Sequence, residues 1–168
     1  MSSKILAITI AIMGIIYIFL IPHDPVGIKI TFKLIPMLLI ILFASIQPPG
    51  LPKSYKTFII LGLFICMLAD GLIYWFIIGL ITFLIGHIVY IFAFRRIKKN
   101  TIPKWAAALL LLYGLIMIIW IAGTLWTEGE FVLVVAVVLY IGVILTMGWH
   151  ALQTGNRFAI IGAILFIF

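Results

Sequence analysis

Residues 76–94, FIIGLITFLIGHIVYIFAF, form a run of nineteen positions with no formally charged side chain. Runs of this length recur along the chain, and they constrain the fold more than any other feature. A bilayer core about 30 Å thick is crossed by about 20 apolar residues at 1.5 Å each. The runs are continuous rather than alternating, which predicts helices and argues against a membrane barrel. Only 9% of residues are charged and the mean hydropathy is +1.43, so almost nothing is left for a soluble domain. The expectation is an all-α, polytopic transmembrane bundle with residues 1–168 as one domain.

Prolines and charges mark the breaks. The helices read as 4–21, 28–46, 55–73, 76–94, 104–126, 131–151 and a seventh from about 157. Between them lie PHDP at 22–25, QPPGLPKS at 47–54, a tight turn at Tyr74 and Trp75, RRIKKNTIPK at 95–104, TEGE at 127–130 and QTGN at 153–156. The run Ile5–Ile21 is long for a signal peptide and lacks a small-residue cleavage site, so it reads as a retained helix.

The formal net charge of +7 is distributed unevenly. Lys53, Lys56, Arg95, Arg96, Lys98, Lys99, Lys104 and Arg157 fall in or beside the even-numbered loops, and Lys4 stands at the N-terminus. Lys29, Asp24, Glu128 and Glu130 lie on the odd side. By the positive-inside rule the N-terminus and the even loops are expected in the cytoplasm of a cell-membrane protein. These charges are expected to meet lipid headgroups, not nucleic acid. Cys66 is the single cysteine and forms no intrachain disulfide.

Ionisable residues inside spans are costly and mark candidate sites. Lys33 lies one turn inside the outer end of the second helix, where it either snorkels outward or turns into the bundle. Asp70 lies at a similar depth on the third. Gly62, Cys66, Ala69 and Asp70 share one face of small residues, which lets helices approach closely, so Asp70 is expected to face protein and to have Lys33 within reach. Gly79, Phe83, Gly86, His87 and Tyr90 form a matching stripe on the fourth helix. His87 is expected roughly 10 Å deeper than Asp70, too far for a direct hydrogen bond. His150 beside Trp149 reads as an interfacial residue, and His23 and Asp24 as solvated loop residues. No spacing suits a metal, and no phosphate loop or nucleophile elbow is present. No cofactor is expected.

Four segments resemble the YhhN family of lysoplasmalogenase-type membrane proteins: FKLIPM (32–37), LADGLI (68–73), GLITFLIGHIVYIFAF (79–94) and YIGVILTMGWHAL (140–152). The order and spacing match along essentially the whole chain. Three positions depart from the family pattern: the Lys-Pro pair is split between Lys33 and Pro36, Ala69 replaces a glycine, and His150 stands where arginine is common. The resemblance implies eight helices, with GAILF (162–166) leading into a Ser-Asp pair beyond Phe168, so the natural chain is expected to continue.

The activity it implies is hydrolysis of the vinyl-ether bond of a lysoplasmalogen, with a lipid as partner and no metal. Protonating carbon requires a carboxylic acid, and this casts Asp70 as the catalytic residue. Lys33, His87 and Tyr90 are cast as substrate-binding residues. The competing readings are a lipid or small-molecule transporter, which should show an internal repeat with broken helices, and a non-enzymatic structural membrane protein.

Overall fold

The computed structural model describes residues 3–21, 26–48 and 52–167. Seven helices account for almost all of them: α1 (Ser3–Phe19), α2 (Val26–Ile46), α3 (Lys53–Leu72), α4 (Phe76–Arg95), α5 (Lys104–Thr127), α6 (Phe131–Gln153) and α7 (Arg157–Ile167). No strand occurs among the described residues. Helices α2 to α6 are each long and apolar enough to cross a bilayer, whereas the apolar parts of α1 and α7 are shorter. The chain is a multi-pass membrane protein. His23 and Asp24 lie outside the described residues.

The helices pack in a row, α1 on α2, α2 on α3, α3 on α4 and α4 on α6, with α5 and α7 each laid against α6. The most extensive of these contacts joins α3 to α4. The turn at Ile73–Trp75 is short enough to hold the pair antiparallel. Small residues set their separation. The buried residues of α3 are Gly62, Cys66, Ala69 and Asp70, and those of α4 include Gly79, Gly86, His87 and Tyr90. A Cβ placed on Gly62 would run into the Tyr90 ring, and one on Gly86 would stand 2.7 Å from Cys66 Sγ. The two glycines are therefore what admits a tyrosine and a thiol between the helices.

The surface is the reverse of a soluble protein's. Ile81, Ile85 and Phe92 on α4, and Leu109, Leu112 and Leu115 on α5, are exposed, as lipid contact requires. Serine and threonine hydroxyls are satisfied inside their own helices at seven positions. Thr9, Thr31, Ser45, Thr57, Thr82, Thr124 and Thr146 each donate to the carbonyl four residues back, at 2.7–3.0 Å. In hydrocarbon no water replaces those bonds.

Helix α5 differs from its sequence expectation. It was expected to be uniform over 104–126, but it widens into a π-helical segment at Ile118–Ala122. That segment packs on α6. The widened turn inserts a residue without breaking the helix, a packing adjustment invisible to a pattern that is apolar on every face.

The helix ends cluster tightly at the basic end of the bundle. Lys56 Nζ donates to Ser45 O at 2.6 Å and Gln47 O at 2.7 Å, a cation at the C-terminal carbonyls of α2. Asn156 Oδ1 accepts from the Phe158 and Ala159 amides at 3.0 and 3.3 Å and so caps α7. The 95–104 loop is fixed where the Lys99 and Asn100 amides share Gln153 O, both at 3.0 Å.

Candidate functional site

The α3–α4 contact brings the ionisable residues of the spans together in two groups. The first is an ion pair. Lys33 Nζ of α2 lies 2.6 Å from Asp70 Oδ1 of α3. The Asp70 side chain is 10% exposed and that of Lys33 is 32% exposed, so the carboxylate is enclosed while its cation keeps an edge at the surface. Lys33 is turned into the bundle and does not snorkel outward. Pro36, inside α2, supplies no amide for the Phe32 carbonyl beside Lys33. Both charges therefore sit near helix irregularities, Lys33 within one turn of Pro36 and Asp70 in the last turn of α3.

The second group surrounds His87, which is fully buried. Its Nδ1 lies 2.7 Å from Phe83 O. A carbonyl only accepts, so Nδ1 carries the proton, and in the neutral ring Nε2 is a bare acceptor. Nε2 has no partner. Tyr90, Tyr140 and Phe166 meet the imidazole edge-on, with centroids 6.1, 5.6 and 5.2 Å away. The Tyr90 hydroxyl is buried beside the Cys66 thiol, a weak partner, and makes no well-formed hydrogen bond.

The register of α3 on α4 fixes the distance between the groups. Gly79 faces Ile73, Gly86 faces Cys66, and Tyr90 faces Gly62. His87 therefore stands opposite residue 65, five residues from Asp70, or about 7.5 Å along the axis. The structure joins Lys33 to Asp70 and His87 to Tyr90. It does not join Asp70 to His87, and Cys66 lies between them, one turn from Asp70.

Two further features had no sequence signal. Phe166 of α7 and Tyr140 of α6 close the aromatic cage around His87. A groove of about 260 Å³ runs between α3 and α7, floored by α4 and α6, and Tyr90 and Phe166 lie along it. The other residue singled out, His150, is half-buried, and its Nδ1 donates to Gln153 Oε1 at 3.1 Å. No cluster of three or more potential metal ligands occurs among the described residues.

No curated protein and no solved structure matches the chain. The family model described as YhhN family matches residues 28–168, from the start of α2 through the His87 cage. With the ion pair and the aromatic cage both inside the matched region, the chain belongs to the YhhN family.

Proposed function

We propose that this protein hydrolyses the vinyl-ether bond of a single-chain, lysoplasmalogen-type phospholipid, with Asp70 as the acid. The observation that carries this reading is the enclosed Lys33–Asp70 pair, at positions where the sequence resembles the family's site. On this reading α1 and α7 also enter the bilayer of the cell membrane, with the N-terminus and the RRIKK loop in the cytoplasm.

The chemistry follows from the pair. Lys33 has a substantial edge exposed, so it can turn to a substrate phosphate, a stronger charge-assisted acceptor set than one carboxylate. Asp70 is then left enclosed and free to carry a proton. That proton passes to the vinyl carbon remote from the ether oxygen, leaving an oxocarbenium ion at the carbon next to oxygen. Water adds there, giving back one proton to the Asp70 carboxylate. The hemiacetal then breaks its carbon–oxygen bond, its hydroxyl proton going to the departing oxygen. The products are a fatty aldehyde and a free glycerol hydroxyl, and the net consumption is one water.

His87 is the weaker candidate for the acid. Its Nδ1 proton is committed to Phe83 O and its Nε2 is bare, so the neutral ring has no proton to give at the orphaned atom. Its place beside Tyr90 suits a positioning role within the same cleft.

The test is an aldehyde-release assay on purified, monodisperse full-length protein. Asp70→Asn should abolish cleavage, and His87→Gln should reduce it by about 10–100-fold, as for groups that orient a reacting residue. Full activity in Asp70→Asn would end the carboxylate mechanism. An inactive but folded His87→Gln beside an active Asp70→Asn would reverse the two roles.

A further inference from the structure

The groove between α3 and α7 opens toward the basic end of the bundle. Tyr55 and Ile59 of α3, Phe94 at the end of α4, and Asn156 and Phe158 at the start of α7 form its outer part. Its volume is about 260 Å³. A water takes about 30 Å³ and a methylene is about as large, so the groove has room for about eight or nine such groups. Its walls are almost wholly aliphatic and aromatic.

Charge is concentrated at the mouth. Lys53 and Arg157 are the first residues of α3 and α7, the two helices that wall the groove, at the end where Tyr55, Asn156 and Phe158 line it. Both are exposed, and neither forms an ion pair among the described residues. The RRIKKN loop is held against the same place. Its Lys99 and Asn100 amides bond Gln153 O, and Gly155, at φ +64°, lies so close to the Asn100 side chain that a Cβ there would come within 2.6 Å of it. The Lys99 backbone is thereby held beside the turn from α6 to α7. The described acids lie elsewhere: Asp70 is paired with Lys33, and Glu128 and Glu130 are at the opposite end of α5.

From this charge complementarity we propose that the groove is a site for an anionic phospholipid of the leaflet at the basic end. A segment of one acyl chain occupies the groove, and the phosphate rests between Lys53 and Arg157. Neither Lys33 nor Asp70 lines this groove, but its inner end is formed by Tyr90 and Phe166, which also meet His87.

The test measures lipid retention by the purified full-length protein in nanodiscs, using phosphatidylglycerol and phosphatidylcholine of equal chain length. Two nearby cations correspond to a preference of about tenfold or more for phosphatidylglycerol. Lys53→Gln with Arg157→Gln should cut the preference to about threefold or less. A Cβ on Gly162, which lines the groove, would meet nothing within 4 Å, so Gly162→Leu adds a side chain to the groove from an unobstructed Cβ position. It should weaken phosphatidylglycerol retention about tenfold with all charges intact. Phe158→Ser, at a side chain 87% exposed, should weaken it in the same direction without touching the bundle interior.

Equal retention of the two lipids would overturn the proposal. So would a preference that survives both Gly162→Leu and Phe158→Ser, which would reduce the basic end to a diffuse charged surface. Displacement of the lipid by soluble glycerol phosphate at comparable concentration would also overturn it, since the site would then recognise the phosphate alone.

Discussion

Neutralising Lys33 and Asp70 one at a time and together separates the stability of the pair from its chemistry. Removing one partner of a fully buried ion pair costs about 3–5 kcal/mol, because the other charge is left enclosed. An exposed pair is worth about 0–1 kcal/mol. Here the carboxylate side is 10% exposed and the ammonium side 32% exposed, so the pair falls between these limits. Lys33→Met strands the enclosed carboxylate and should cost about 2–3 kcal/mol. Asp70→Asn strands the more accessible cation and should cost about 1–2 kcal/mol. The double variant carries no charge at either position and should lie within about 1 kcal/mol of the parent, since isosteric neutral replacement of a buried pair is often harmless. On the scale of about 2–4 °C per kcal/mol for a chain of this size, Lys33→Met should lower the melting temperature by about 4–12 °C. The double variant should recover most of that loss. Thermal unfolding followed by fluorescence in one fixed detergent reads all four corners of the cycle. If both single variants match the parent and the double is simply additive, the 2.6 Å contact contributes nothing, and the enclosure argument fails. Aldehyde release from the same four samples then asks a different question. The rescued double variant should be stable and inactive, a combination that a purely structural pair would not produce.

The helix packing, the α7 cap and the charge asymmetry each give a shorter prediction. Gly86→Ala should destabilise by about 1–2 kcal/mol, the overpacking of Cys66 Sγ outweighing the helix propensity gained; Cys66→Ala in the same chain should restore most of it, and additive melting shifts would refute the contact. Asn156→Ala removes the cap of α7 and should cost about 1 kcal/mol, with proteolysis near Gly155 accelerating; unchanged protease resistance would count against the cap. Lys98→Cys should react with an impermeant thiol reagent only after the cells are opened, and labelling from outside intact cells would invert the proposed topology.

The helix boundaries were legible because proline and charge cannot be placed freely in hydrocarbon. The break at QPPGLPKS and the turn at Tyr74–Trp75 mark the two ends of α3 to within about two residues. The inward face of α3 was legible for a related reason. Against a uniformly apolar background, Gly62, Cys66, Ala69 and Asp70 are the residues that differ, and they fall on one stripe. The reach from Lys33 to Asp70 followed from depth alone. The α3–α7 groove was not legible, because its walls are ordinary apolar residues from four helices. Nothing in Ile59 or Ala159 distinguishes a groove wall from a lipid-facing surface. The aromatic cage was half legible: Phe83, His87 and Tyr90 share a stripe on α4, whereas Phe166 arrives from a helix whose docking on α6 no periodicity announces. The span count rested on seven apolar runs, and five helices have the length to cross by composition alone.

The orphaned atoms of the His87 group carry a cost in stability. A buried polar group without a partner costs about 1–3 kcal/mol, and two of them, His87 Nε2 and the Tyr90 hydroxyl, occur on one face of α4. Leucine or phenylalanine at these positions would remove the cost and keep the apolar contact. Their capacities are complementary, since the bare Nε2 accepts and the tyrosine hydroxyl donates. By the register of the seam they lie about 7.5 Å and about 12 Å from Asp70 along the α3–α4 axis, with the Cys66 thiol between. Elsewhere in the spans the hydroxyls of Thr31, Thr82 and Thr146 are silenced within their own helices. Among the described residues, the unpartnered buried polar atoms thus lie along the seam that also holds the enclosed carboxylate. Stability alone gives no reason for that arrangement, and the proposed reaction on a lipid ether would supply one.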